Sequence, residues 1–185
     1  MAVETHLGEF QHLLVAGGLP ELGPGPRPNV LPQATLESNL DKLLAKTELP
    51  SVSYDLIRAL VLLWHDRLDA AHEIAQGIEN ADGSFLHGIM HRREPDYSNA
   101  KYWFRRTGEH ASFPELARRV SERLATTDAR GMAAELVVDG KWDSLAFIDS
   151  CAAAGRRGKA DAEVNLLREI QGIESEVLLA YLLGR

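Results

Sequence analysis

Two histidines spaced four residues apart, His87 and His91, are the first candidates for acid–base or metal chemistry in this sequence. On an α-helix this spacing places both imidazoles on one side, and Glu94 follows on that side if the last turn persists. Imidazole exchanges a proton near neutral pH and is a frequent metal ligand. His87 and His91 are therefore candidate acid–base groups, and His87, His91 and Glu94 are candidate ligands for a divalent metal ion. A chance pair on an ordinary helix is the alternative.

A third histidine, His72, belongs to the preceding predicted helix, which begins near Asp66 and which Asp66 can cap. On a helical projection, His72 and Asp69 lie at the rim of the apolar face of that helix. His87 and His91 line the edge of the apolar face of the next helix in the same way. If the two helices pack with these edges together, the three imidazoles converge with carboxylates nearby.

Arg93 falls inside the apolar arc of its predicted helix, on the side that faces the core. Burying a guanidinium without a hydrogen-bonding partner strongly destabilises the folded state, so an arginine that points inward must be paired. Acidic residues of the preceding helix, Asp66, Asp69 and Glu73, are candidate partners, and a bound anion is the other. The sequence leaves a structural salt bridge and a ligand anchor equally open.

The next predicted helix, which Asp96 can cap, adds an amide, aromatic rings and a guanidinium to the same region. Aromatic clusters of this kind are also typical of plain core packing. We predict a pocket in which arginines anchor a small anionic or polar ligand and a histidine gives or takes a proton. The candidate catalytic residues are His72, His87 and His91, and the candidate ligand-binding residues are Asp69, Arg92, Arg93, Asn99, Tyr102, Trp103 and Arg106.

Charge is distributed unevenly along the 185 residues, which carry a formal net charge of −7. Between His87 and Arg106, five basic residues outnumber two acidic ones, so this segment is +3 and the rest of the chain is −10. Neutralising nucleic-acid phosphates requires a broad cationic surface, so the acidic balance argues against a nucleic-acid partner. A basic island on an acidic protein instead favours a local anionic ligand.

The elements that must position these residues are almost all helical. Apolar residues recur at helical intervals from Leu36 to Tyr181, so we predict a single all-α domain, a multi-helix bundle over residues 1–185. Residues 19–32 hold five prolines and are predicted to form an extended arm. Residues 64–110 are the candidate functional segment. The one β-like run, at 136–138, is expected to continue the helix that precedes it.

Cysteine usage and hydropathy exclude several classes of site. Cys151 is the only cysteine, so an internal disulfide and a thiolate zinc cluster are excluded. Its apolar surroundings favour a core position over nucleophilic chemistry. The N-terminal residues lack the pattern of a secretory signal, and no stretch approaches the length of a membrane span. We therefore expect a cytoplasmic protein without a membrane partner.

Two resemblances follow from the central segment. Its run HGIMHRREPDYSNAKYWFRR (87–106), preceded by LDAAH (68–72), resembles the signature of a family of uncharacterised bacterial proteins. The likeness covers roughly residues 60 to 180. It implies an all-α fold but no activity, because that family has no assigned substrate or cofactor. Residues 96–106 also resemble the second helix of a tetratricopeptide or Sel1-like repeat, which implies a helical hairpin.

Two functions remain open at this point. The first is a small-molecule pocket lined by histidine and arginine, with enzymatic or metal-assisted chemistry undecided. The second is a non-catalytic helical scaffold whose tetratricopeptide-like hairpin binds a partner protein or peptide. A closed hollow that several of these side chains reach favours the first, and a broad groove with the same residues scattered over it favours the second. The sequence does not decide the oligomeric state.

Overall fold

The computed structural model describes residues 2–155 and 161–184, with side chains from residue 7 onward. Within these residues the fold consists of ten helices and one very small antiparallel sheet, so the prediction of an all-α bundle is confirmed. The elements are α1 (Ala2–Val15), α2 (Gln33–Leu44), α3 (Ser51–Trp64), α4 (Leu68–Ala75), α5 (Ala81–Arg93), α6 (Tyr97–Thr107), α7 (Phe113–Ala125), α8 (Arg130–Leu136), β1 (Val137–Val138), β2 (Lys141–Trp142), α9 (Ser144–Ala154) and α10 (Ala162–Leu183).

Helix α3 is the centre of the bundle because it is apolar on nearly every side. It packs against α1, α2, α4, α5 and α10, and its second half, from Ala59 to Trp64, is buried throughout. Each fully buried Leu or Ile side chain contributes about 1.5–3 kcal/mol relative to an exposed one. The 22-residue helix α10 is the second buried helix and also contacts α1, α7 and α9.

Helices α5 and α6 form the most extensive helix pair, joined by a three-residue loop. Gly88 makes their close approach possible: a Cβ at this position would lie 2.5 Å from two carbons of the Phe104 ring. Asp96 caps α6 as predicted, because its carboxylate accepts the backbone N–H of Asn99. The pair is a helical hairpin, and its likeness to a tetratricopeptide unit stays a prediction.

Residues 16–32, here called the connecting segment, contain no helix and run between α1 and α2. Two side chains of α10 hold the segment: Arg168 donates to the carbonyls of Leu19 and Pro20, and Gln171 donates to that of Glu21. The prolines remove backbone donors from this stretch, so side chains from the bundle satisfy its carbonyls.

The expectation of a helix through residue 138 is wrong at its C-terminal end. Helix α8 stops at Leu136, and Val137–Val138 pairs with Lys141–Trp142 in an antiparallel hairpin. Asp139 and Gly140 form its two-residue turn with φ angles of 50° and 76°. Asp-Gly is the sequence that favours a type I′ hairpin turn, and this local preference outweighs continuation of a short helix.

None of the described helices is both long enough and apolar enough to cross a bilayer.

Candidate functional site

Three imidazole rings from two consecutive helices come together at one edge of the bundle. The ring centroid of His72, on α4, lies 5.5 Å from that of His87 and 5.8 Å from that of His91, both on α5. The His87 and His91 centroids are 6.2 Å apart. The two rims that carry histidine therefore face each other, as the helical projection predicts. We call His72, His87, His91, Trp103 and Arg106 the histidine site.

His87 is the most deeply placed ring of the site, with 2% of the residue exposed. Its Nδ1 lies 2.9 Å from the carbonyl oxygen of Gly83, so Nδ1–H donates and Nε2 carries the free lone pair. The ring stacks on the indole of Trp103, with centroids 4.2 Å apart. Burial lowers the pKa of His87 below the ordinary 6.5, and the neighbouring His72 and His91 add to this lowering. His87 is thus a neutral base at pH 7.

His91 is held at both ring nitrogens. Its Nδ1 lies 2.9 Å from Oε2 of Glu94, and the amide Nδ2 of Asn99 lies 3.2 Å from its Nε2. In this arrangement Nδ1–H donates to the carboxylate, and Nε2 accepts from the amide. His91 is therefore fixed in orientation, whereas no hydrogen bond from the described residues fixes His72, which is half-buried.

The same contacts bear on the metal alternative. Among the described residues no group of three or more His, Cys, Asp or Glu side chains is arranged to hold a metal ion. His91 uses Nδ1 on Glu94 and Nε2 on Asn99, so the predicted ligands His87, His91 and Glu94 do not point at a common centre. The geometry gives the metal hypothesis no support.

The outer wall of the site is aromatic and cationic. The Arg106 guanidinium lies 5.3 Å from the Trp103 ring centroid and 5.9 Å from that of Tyr102, and it donates to the Tyr102 hydroxyl at 3.3 Å. Tyr102 is 49% exposed. Arg106 is exposed, and within the described chain no carboxylate pairs with it. Its charge is available to an anion. Asp69, the remaining predicted residue on α4, is exposed.

Arg93 points into the core, where protein groups accept the hydrogen bonds of its guanidinium. Its guanidinium donates to the carboxylate of Asp66, to the carbonyl of Leu63 and, at 3.1 Å, to the carbonyl of Gly23. Arg27, from the connecting segment, binds the other oxygen of Asp66 through Nε at 2.9 Å. Burial raises the pKa of Asp66, but the hydrogen bonds from Arg27 and Arg93 outweigh it, and the net pKa lies below 3.8.

Asp66, which the sequence predicted to cap α4, thus has another role. Asp66 does not cap α4, because it adopts a left-handed backbone with φ of 62° and turns its carboxylate to the two arginines.

Arg92 is also directed inward. It is 0% exposed, forms a two-pronged ion pair with Glu174 of α10, and places its Cζ 4.4 Å from the Phe147 ring centroid. Of the three arginines predicted to hold a ligand, only Arg106 has no carboxylate partner among the described residues, and it contacts Trp103, the ring on which His87 stacks. Asn99, Tyr102 and Trp103 do lie around them.

Sequence reasoning did not single out His110, which forms a second polar cluster. His110 Nε2 lies 2.8 Å from Oδ1 of Asp82, and its Nδ1 lies 2.7 Å from Oγ of Ser112. All three residues are less than 5% exposed. The short spacing of His110 and Ser112 was a usable signal, but Asp82 lies 28 residues away and has no periodic relation to them.

Comparison with known proteins found no match: neither a family model, nor a curated protein, nor a solved structure resembles the chain. The resemblance of residues 68–106 to a bacterial signature stays a prediction.

Proposed function

We propose that the histidine site binds a small anionic ligand, with the imidazoles available for proton transfer to or from it. The observation that carries the proposal is the meeting of three imidazole rings, at centroid distances of 5.5–6.2 Å, next to Trp103, whose ring also contacts the exposed Arg106. A structural role does not require this arrangement, since three rings that can all become cationic repel one another as they protonate. An anion between them offsets that repulsion.

The charge distribution supports binding of an anion and reduces the number of residues that could bind it. Glu174 and Asp66 neutralise Arg92 and Arg93 internally, so the basic excess of the segment remains on the exposed face of α6. Arg106 is the residue of that face that contacts the site, through Trp103. A guanidinium held against aromatic rings loses little side-chain freedom when it binds a carboxylate or phosphate.

Proton transfer follows from the state of His87. A neutral imidazole with a free Nε2 accepts a proton from a bound acid, and His91 is held beside it by its hydrogen bond to Glu94. Because the pKa of His87 lies below 6.5, its cationic form is scarce at pH 7 and grows as the pH falls. Anion affinity is therefore expected to rise as the pH is lowered from 7.5 to 6.0.

Thermal denaturation in the presence of inorganic phosphate, acetate and citrate tests the proposal. A ligand at 100 times its Kd stabilises the protein by about 2.7 kcal/mol, so millimolar binding is detectable. The variant Arg106→Gln is expected to lose the shift. Arg105→Gln is the matched control, because Arg105 is an adjacent exposed arginine of α6. Equal shifts in the two variants contradict the proposal, as does a flat response to every anion at both pH values.

Histidine NMR gives an independent readout. The imidazole signals of His72, His87 and His91 are expected to move on titration with the anion that stabilises best, while the signals of His12, on α1, stay in place. Movement of His12 alone would place the anion elsewhere.

The second candidate is a scaffold whose α5–α6 hairpin, taken as tetratricopeptide-like, binds a partner peptide. The observation in its favour is the half-exposed Tyr102 stacked with Arg106, since Tyr, Trp and Arg are the side chains that dominate binding interfaces. We expect either function to operate in the cytoplasm, where a single buried thiol stays reduced.

A further inference from the structure

Asp82, His110 and Ser112 form a hydrogen-bonded chain that the histidine site does not use. Asp82 is in the first turn of α5, while His110 and Ser112 belong to the loop between α6 and α7. Oδ1 of Asp82, the two nitrogens of His110 and Oγ of Ser112 follow one another at 2.8 Å and 2.7 Å. The His110 ring is fixed further by Phe85 and Tyr181, whose ring centroids lie 5.1 Å and 4.9 Å from its own.

The order of donors and acceptors in this chain is set by the carboxylate. Asp82 accepts from His110 Nε2–H, which leaves Nδ1 as the acceptor for the Ser112 hydroxyl. The backbone N–H of Ser112 also approaches Nδ1, at 3.2 Å. A serine hydroxyl that donates to an imidazole, whose far nitrogen is held by a carboxylate, is arranged to lose its proton as it attacks an electrophile.

A cavity of about 680 Å³ borders this chain. Its wall includes His110 and Phe113, which flank Ser112 in the sequence, and it continues over Lys141 and Trp142 of the hairpin. This volume falls within the range of small-molecule sites, about 300–1,000 Å³. Ser112 itself does not line the cavity and is 4% exposed, so a substrate must displace part of the wall to reach the hydroxyl, which favours a small acyl group over a large one.

We propose that Ser112 is a nucleophile that cleaves esters of small carboxylic acids entering from this cavity. Oγ forms a bond to the ester carbonyl carbon while its proton passes to Nδ1 of His110. The carbon–oxygen bond to the alcohol then breaks, and His110 returns the proton to the departing alcohol. A water molecule, deprotonated by His110, then attacks the acyl carbon; the bond to Oγ breaks, His110 returns the proton to Oγ, and the acid is released. Ser112 directly precedes the first residue of α7, so the positive end of that helix dipole lies next to the serine.

Covalent labelling of the full chain with a fluorophosphonate, followed by peptide mass mapping, tests the proposal. We expect one label per chain, on Ser112, and none in Ser112→Ala. Ser144→Ala is the matched control and keeps the label, because Ser144 borders the same cavity and is more exposed than Ser112 but has no histidine partner among the described residues. Hydrolysis of 4-nitrophenyl acetate is expected to follow the same pattern.

A purely structural role would also need these hydrogen bonds, so the rate of labelling decides between the two. Asp82→Asn keeps the shape of the residue and is expected to slow labelling by roughly 10²–10⁴-fold, the contribution of a positioned general base. Labelling of Asp82→Asn at the unaltered rate overturns the proposal. So does a native chain that stays unlabelled under conditions that label a serine esterase, or a label mapped to any other serine; neither result depends on whether the variants fold.

Discussion

The buried position of Arg93 makes a prediction that separates a structural arginine from a ligand anchor. Arg93 is 1% exposed, and its guanidinium satisfies Asp66 and two backbone carbonyls. Arg93→Met keeps the apolar stem of the side chain and removes only the charged group. We expect this variant to be strongly destabilised, because it leaves Asp66 and the carbonyls of Leu63 and Gly23 short of donors.

The magnitude follows from what remains after the substitution. Removing one partner of a buried ion pair costs about 3–5 kcal/mol. Asp66 keeps the Nε and the backbone N–H of Arg27, at 2.9 Å and 2.8 Å, so we place the loss near the lower bound, at about 3 kcal/mol. For a chain of 150–250 residues this corresponds to a fall in Tm of about 6–12 °C.

Urea and thermal denaturation followed by circular dichroism measure the effect, with Arg106→Met as the matched control. Arg106 is exposed, and its loss is expected to change stability by less than about 0.5 kcal/mol. A loss below 1 kcal/mol in Arg93→Met would refute the structural assignment, and a loss of anion binding without a loss of stability would replace it with a ligand role.

The pH dependence of the same network gives a second readout. The folded pKa of Asp66 lies below its unfolded value of 3.8, so its contribution is complete above about pH 4 and is lost as the pH falls through the folded pKa. Arg93→Met removes one of the groups that lower this pKa. Its acid unfolding is therefore expected to begin at a higher pH than that of the unaltered chain.

Three further predictions concern the core. Gly88→Ala places a methyl group against Phe104 and is expected to cost about 1–3 kcal/mol in urea denaturation. Glu174→Gln leaves the charge of Arg92, which is 0% exposed, without its counter-ion and is expected to cost about 3 kcal/mol by the same measurement. Burial raises the pKa of Cys151 to about 12, so its thiol is expected not to react with Ellman's reagent at pH 8 until the chain unfolds.

Matched positions control for these substitutions. Gly131→Ala, in α8 with open space around it, is expected to be neutral or stabilising, and a loss equal to that of Gly88→Ala would discount the packing argument. Glu176 pairs with Arg119 at the surface, and Glu176→Gln is expected to cost less than about 1 kcal/mol. Rapid reaction of the thiol in the folded chain would contradict the burial of Cys151.

Helical periodicity was sufficient to predict the fold class and the meeting of the histidines. The apolar positions of α4 and α5 define an apolar face on each helix, and His72, His87 and His91 lie at the edges of those faces. Two helices joined by a short loop pack side by side, so edges on the same side meet. Nothing beyond the local pattern is needed for this inference.

The partners of Arg92 and Arg93 could not be predicted in the same way. Arg92 pairs with Glu174, 82 residues further on, and Arg93 reaches Gly23, 70 residues earlier. Helix α5 is also buried on almost every side. A helical projection that assumes one solvent-exposed face therefore does not place Arg92 in the core, where it lies. Long-range pairing of this kind depends on the packing of several elements and leaves no trace in local spacing.

The connecting segment ties the beginning of the chain to its last helix. Carbonyls of residues 19–21 accept from α10, and Arg27 binds Asp66 as a second arginine beside Arg93. A fragment that starts at Gln33 would thus leave Arg168 and Gln171 of α10 without their carbonyl acceptors and Asp66 with Arg93 as its remaining arginine partner. The proline-rich segment thus supports both α10 and the Asp66 network, and its removal is expected to destabilise the two together.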